Sequence, residues 1–157
     1  PQNDYSRRYL ILENNLLKHA IKYRQKGWGV IPLKPKSKIP LIDWKEYQTR
    51  LASEEEIRVW WTKWPDANVG IVTGKISGIV VIDIDVKNEQ RGDESLMELE
   101  AEFGKLIPTC EVITPSGGKH LYFKYPDNVK IGCKTGIRKG IDIRGCNGYV
   151  VAPPSIL

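Results

Sequence analysis

Two carboxylates, Asp83 and Asp85, interrupt the otherwise apolar run VVIDIDV (80–86). In a strand, side chains two residues apart share a face and lie roughly 7 Å apart. Burying charge costs free energy unless something pairs with it. The pair therefore has two readings: a cation balances it, or it lies on a solvated sheet face. Two converging oxygen donors suit a hard divalent ion such as Mg²⁺ or Mn²⁺, and carboxylates are the usual bridges of paired-metal sites. Residues 79–82 are all apolar, which favours the first reading. They put the acids at the C-terminal end of a strand covered on both faces, where ligand sites concentrate. Asp142, between two isoleucines in GIDIRG (140–145), repeats the pattern and offers a third carboxylate, although alone it reads rather as a surface acid. Arg144 shares that strand face. It suits either a bidentate grip on phosphate or a salt bridge to Asp142.

A second group lies in TPSGGKH (114–120). Gly117 and Gly118 let the backbone approach a ligand closely, and successive amides can wrap an anion. Ser116 adds a hydroxyl, Lys119 a point charge and His120 an imidazole. Together they have the makings of a phosphate cradle. The spacing is not that of a P-loop, which needs an upstream glycine and a Ser or Thr after the lysine. The same residues also describe a glycine-rich hairpin turn, with His120 as a structural hydrogen-bonding residue. A divalent cation beside a triphosphate cradle points to nucleotidyl transfer, in which the cation polarises the α-phosphate and stabilises leaving pyrophosphate.

These groups need elements to hold them. Residues 5–26 carry Tyr9, Leu12, Leu16, Ala20 and Tyr23 at helical spacing, with Gly27 as a stop. WGVIPL (28–33) reads as a strand and KPKSKIPLIDW (34–44) as a basic loop. Ser53 and Glu56 form a capping box ahead of Ile57, Trp60, Trp61 and Trp64, and Pro65 ends that helix. Strands are predicted at 68–74, 78–86, 110–114 and 120–125. A helix is predicted over 93–103, and 140–145 with 148–153 read as one further strand pair. The order is α+β with a largely antiparallel sheet.

The chain has 157 residues, the size of one domain. Lys and Arg number 24 and Asp and Glu 19, a formal net charge of +5. That mild excess suits a polyanionic partner. Cys110, Cys133 and Cys146 are widely spaced without a C-x-x-C pair, so reduced thiols and no zinc site are expected. No apolar run approaches bilayer length, and the first residues lack the apolar core of a signal peptide. The expectation is a cytoplasmic protein without a membrane partner.

The three motifs, taken in order, resemble the primase–polymerase (prim-pol) group of the archaeo-eukaryotic primase superfamily. VVIDID supplies its hhhDhD strand, SGGKH its small-x-H strand, and GIDIRG its later strand of apolar residues with an acid. The flanks VIPLKPKSKIPLIDW, DANVGIVTG and GYVVAPPS look similar too, so the resemblance covers roughly residues 28–156. It implies one catalytic domain over 1–157, with an N-terminal helix (1–27) ahead of the core (28–156). It also implies a modified RRM-like palm beside a small α/β unit. Asp83, Asp85 and Asp142 would bind two divalent ions, Mg²⁺ or Mn²⁺, and His120 would join the catalytic set. By the resemblance Ser116 and His120 would hold the incoming triphosphate, with Gly117, Gly118 and Lys119 shaping its pocket; on the residues themselves, Arg144 and Lys38 are further candidates for nucleotide contact. The implied partners are single-stranded DNA template, primer and dNTP or NTP. The implied setting is a prokaryotic, phage, plasmid or CRISPR-associated replicon. The C-terminal helical primase region and helicase of many relatives would lie outside these residues, fused or associated.

Two other readings stay open on residues alone. Carboxylates and a histidine around metal serve a nuclease or phosphohydrolase equally well. A non-catalytic nucleic-acid-binding module is the third. Lys34, Lys36 and Lys38 form either a template-binding surface or a solvated loop, whereas Trp60, Trp61 and Trp64 at helical spacing read as core rather than as base-stacking groups.

Overall fold

The computed structural model describes residues 14–157. Tyr9 and Leu12 of the predicted first helix lie outside that range. In chain order the elements are α1 (Asn15–Gln25), β1 (Gly29–Leu33), a 3₁₀ turn (Lys45–Gln48), α2 (Glu54–Lys63), β2 (Asn68–Val72), β3 (Ile79–Ile84), α3 (Gly92–Phe103), β4 (Cys110–Ile113), β5 (Lys119–Lys124), β6 (Lys134–Arg138), β7 (Ile141–Arg144) and β8 (Tyr149–Ala152). The fold is α+β, as expected. The chain forms two compact units. One runs through Ile71 and includes Val151–Leu157; the other is Val72–Val150.

The first unit is built on the sheet β1-β2-β8 with α1 and α2. The predicted capping box is present: Ser53 Oγ accepts the Glu56 N–H at 3.1 Å, and Glu56 Oε2 accepts the Ser53 N–H at 2.8 Å. Such a cap contributes about 1 kcal/mol. Ile57, Trp60 and Trp61 are buried, whereas Trp64, also expected in the core, is only half-buried at the end of the helix. The Trp61 indole N–H donates to the Ala67 carbonyl at 3.0 Å, which satisfies the one polar atom of a fully buried ring. Lys34, Lys36 and Lys38 lie exposed on the loop after β1.

The second unit is a five-stranded sheet in the order β4-β5-β3-β7-β6. Every neighbouring pair in it is antiparallel. β3 is central because its residues can be covered on both faces: Ile79, Val80, Val81 and Ile84 are all buried. On one face, Ile82 and Ile141 line a groove with Leu96, Leu99 and Phe103 of α3. Ile141 is fully buried there, a contribution of about 1.5–3 kcal/mol, whereas Phe103 stays largely exposed. The opposite face carries Asp83. The Ser95 hydroxyl donates to Lys139 O at 2.7 Å and ties α3 to the turn before β7.

Two sequence expectations change here. The segments 140–145 and 148–153 do not pair with each other: β7 pairs with β3 and β6, while β8 joins the other sheet beside β2. The edge next to β7 is taken by β6, which sequence patterning missed. KTGIR is mostly exposed, has a glycine at its centre and pairs with an irregular register, so it lacks the alternation that marks a strand. The acid-bearing strand is also shorter than predicted. β3 ends at Ile84, and the backbone of Asp85 leaves the ladder for two glycines.

Candidate active site

Strand register assembles the site. Asp83 stands directly opposite His120 of β5 on one side and Asp142 of β7 on the other. Residues paired in this way share a face, with Cβ atoms about 4.5–5.5 Å apart. One row therefore crosses three strands: Asp142, Asp83, His120. Arg144, opposite Val81, belongs to the same face one pleat along. Asp85 lies two residues beyond Asp83, just past the end of β3. The row is largely sheltered: side-chain exposure is 24% for Asp83, 12% for His120, 23% for Asp142 and 32% for Arg144.

Each acid has an internal counter-charge. Arg144 Nη2 donates to Asp142 Oδ2 at 2.8 Å and lies 3.7 Å from Asp83 Oδ2. The second Asp142 oxygen accepts the Gly136 N–H at 2.8 Å. Asp85 Oδ1 accepts the Lys87 N–H at 3.0 Å, and Lys87 Nζ lies 3.9 Å from Asp85 Oδ2. His120 Nε2 lies 3.5 Å from Asp83 Oδ1. The other ring nitrogen, Nδ1, is buried without a hydrogen-bond partner among the described residues. An unpartnered nitrogen is least costly as a bare acceptor, which leaves the imidazole proton on Nε2, facing Asp83.

Two glycines that sequence reasoning passed over position Asp85. Its N–H donates to Gly140 O at 2.8 Å, and its carbonyl accepts the Gly92 N–H at 2.9 Å. A Cβ on Gly92 would lie 2.4 Å from Gly140 O, and one on Gly140 would lie 2.6 Å from Asp85 O. No side chain fits at either position, so the acid's backbone is held between two bare main chains. A glycine beside a loop is a weak sequence signal. Its necessity appears only once the neighbouring backbone is in place.

The glycine loop is a hairpin connection between β4 and β5. Gly117 N–H donates to Thr114 O, and Thr114 N–H to Gly118 O, each at 2.9 Å. Gly117 takes a left-handed φ of +84°, which a side chain would resist. Gly118 presses on β3: a Cβ there would lie 2.2 Å from Ile84 O. Ser116 Oγ is exposed, 3.1 Å from Thr114 Oγ1. Lys119 does not join His120. Adjacent residues of a strand point to opposite faces, and Lys119 sits opposite Ile84 and Ile113 with its Nζ 3.2 Å from Glu111 Oε2. Lys38 belongs to the first unit. The register therefore brings together Asp83, Asp142, His120 and Arg144, with Asp85 following just past the end of β3 and the Ser116–Gly118 turn leading into His120.

The Asp83 and Asp142 carboxylates on one sheet face, with Asp85 just beyond the strand end, are hard oxygen donors of the kind Mg²⁺ and Mn²⁺ select. Among the described residues no three His, Cys, Asp or Glu side chains already converge as a metal-holding group. The donor chemistry fits such an ion, while Arg144 and Lys87 now balance the charge. No helix among the described residues is long and apolar enough to cross a membrane.

A family model described as bifunctional DNA primase/polymerase, N-terminal, matches residues 20–157. That span includes every residue of the row and both clamping glycines. Among curated proteins no match was found.

Proposed function

Because the chain belongs to the Prim-Pol family of bifunctional DNA primase/polymerase N-terminal domains, we propose that it is a template-directed nucleotidyltransferase whose chemistry runs on the acid row. The observation that carries this reading is the register: Asp83 faces Asp142 across one ladder and His120 across the other. Three residues distant in sequence meet on a sheltered sheet face, two as oxygen donors and one as an imidazole.

Asp83, Asp85 and Asp142 would hold Mg²⁺ or Mn²⁺. Such an ion supplies Lewis-acid polarisation of a phosphoryl oxygen and lowers the pKa of an attacking hydroxyl. The chain's own groups do the rest. His120, with its Nε2 proton directed along the row, donates to a phosphate oxygen or to Asp83. The Ser116 hydroxyl, on the turn that leads into the same strand, offers a donor to the triphosphate, and Gly117 and Gly118 let the ligand approach the backbone closely. Arg144 brings the one guanidinium of the row and suits bidentate phosphate contact. Lys119 faces the other side of the sheet and contributes general positive charge. Lys34, Lys36 and Lys38 offer exposed charge to the backbone of single-stranded DNA, which makes binding salt-dependent and sequence-tolerant.

The test is extension of a labelled primer on a single-stranded template with Mg²⁺ or Mn²⁺, with dNTP and NTP supplied separately. Lengthened strands with pyrophosphate release support the proposal. Shortened strands would replace it with a nuclease. Template binding that persists in EDTA without any turnover would replace it with a binding module.

A further inference from the structure

We infer that Arg144 is a displaceable counter-ion, which holds the acid row while the site is empty and moves to phosphate when cation and nucleotide arrive together. The inference deepens the proposed nucleotidyl-transfer reading and rests on it.

The geometry sets up a competition. The same guanidinium nitrogen lies 2.8 Å from Asp142 Oδ2 and 3.7 Å from Asp83 Oδ2. A cation taking both of those oxygens must take the place of Arg144. The other Asp142 oxygen already accepts the Gly136 N–H, so a cation approaching it must share its lone pairs with that amide. Asp83 lies between Arg144 and His120, so its environment changes as soon as Arg144 leaves.

Charge decides when the exchange is favourable. A cation binding alone releases Arg144 from its carboxylates while the guanidinium is still two-thirds sheltered, and a sheltered charge without a partner is costly. A triphosphate binding alone draws Arg144 away and leaves Asp83 and Asp142 facing each other across the ladder. When both bind, every charge ends with an opposite one: the carboxylates with the cation, the guanidinium with phosphate. Each ligand then binds better in the presence of the other, and the coupling is reciprocal. Lys87 stands in the same relation to Asp85, but it is half exposed and 3.9 Å away, so water can replace it at little cost.

The experiment measures binding of Mn²⁺ alone, without nucleotide or template, through the paramagnetic resonance signal of the free ion. The proteins are the wild type, Arg144→Gln, Arg144→Lys and Asp83→Asn, each checked for folding by circular dichroism. Arg144→Gln should bind Mn²⁺ at least about fivefold tighter than the wild type, within the usual range of site-to-site coupling. Arg144→Lys keeps the charge and should stay within about twofold of the wild type. Equal or weaker binding by Arg144→Gln overturns the inference, as does a lysine variant that tightens as much as the glutamine one. Undiminished Mn²⁺ binding by Asp83→Asn places the ion elsewhere and removes the nucleotidyl-transfer reading along with the inference.

Discussion

Replacing Gly140 by alanine puts a methyl group where the backbone of the acid-bearing segment already stands. Gly140 has φ +74°, and its Cβ would lie 2.6 Å from Asp85 O, 2.7 Å from Gly92 N and 2.8 Å from Gln90 O. A left-handed φ costs a non-glycine residue roughly 1–2 kcal/mol. Forcing atoms into a filled site adds about 1–3 kcal/mol. Gly78 provides the internal standard, because its φ is +65° yet a Cβ there meets nothing within 4 Å. Gly78→Ala should therefore lose only the conformational part, and Gly140→Ala about 1–3 kcal/mol more. All three atoms against Gly140 are backbone and cannot swing aside, so relief must shift Asp85 and its carboxylate. Typical domain stabilities of about 5–15 kcal/mol leave the variant folded and assayable. Urea unfolding of the two variants measures the difference, and primer extension shows whether the displaced acid matters. Destabilisations equal to within about 0.5 kcal/mol would refute the clamp, since the clash alone should add more than that.

Further outcomes follow from the same geometry. Lys119→Ala removes only a surface pair with Glu111, both side chains being about half exposed; it should change stability by less than about 1 kcal/mol and alter nucleotide KM far less than Arg144→Gln does. Hydrogen bonding from Arg50 holds the Glu56 carboxyl down at about 2, against 4.5 unperturbed. A carboxyl depressed in the folded state stabilises above its unfolded pKa and loses that contribution as pH falls toward the folded value. The stability gap between wild type and Glu56→Gln should therefore be full above about pH 4.5 and close between there and pH 2, as read by urea unfolding across that range. Because the Glu56 side chain is 32% exposed, solvent screening limits the gap to about 1 kcal/mol. A gap that widens on acidification would contradict the assignment. Gly118→Ala should disturb the β4–β5 turn against Ile84 O, lowering both stability and the apparent affinity for nucleotide, whereas a loss confined to stability would separate the turn from the site.

What the sequence revealed about the site follows from period. Asp83 and Asp85 stood out because alternation with isoleucines is a strand pattern, and a strand pattern says which residues share a face. His120 and Asp142 were legible as the polar members of two further strands, and the antiparallel register then brought them to Asp83. The same period separates Lys119 from His120, a consequence that reading the loop as a unit overlooked. β6 was hidden because an exposed edge strand with a central glycine needs no apolar alternation. Gly92 and Gly140 were hidden for a different reason: what they must accommodate is the backbone of Asp85, which only the tertiary fold brings there. Pairing 140–145 with 148–153 failed because nearness in sequence was taken for pairing, whereas β8 belongs with β2.

The central claim is that the face bearing Asp142, Asp83 and His120 joins nucleotides to a DNA strand. Its most direct measurement is the single-turnover rate of labelled nucleotide incorporation on primed and unprimed single-stranded templates, comparing wild type with Asp83→Asn and Asp142→Asn. Template-dependent lengthening by the wild type is expected, with a loss of more than about 100-fold in each folded variant, beyond what outer-sphere partners alone contribute. Incorporation by Asp83→Asn at the wild-type rate would contradict it.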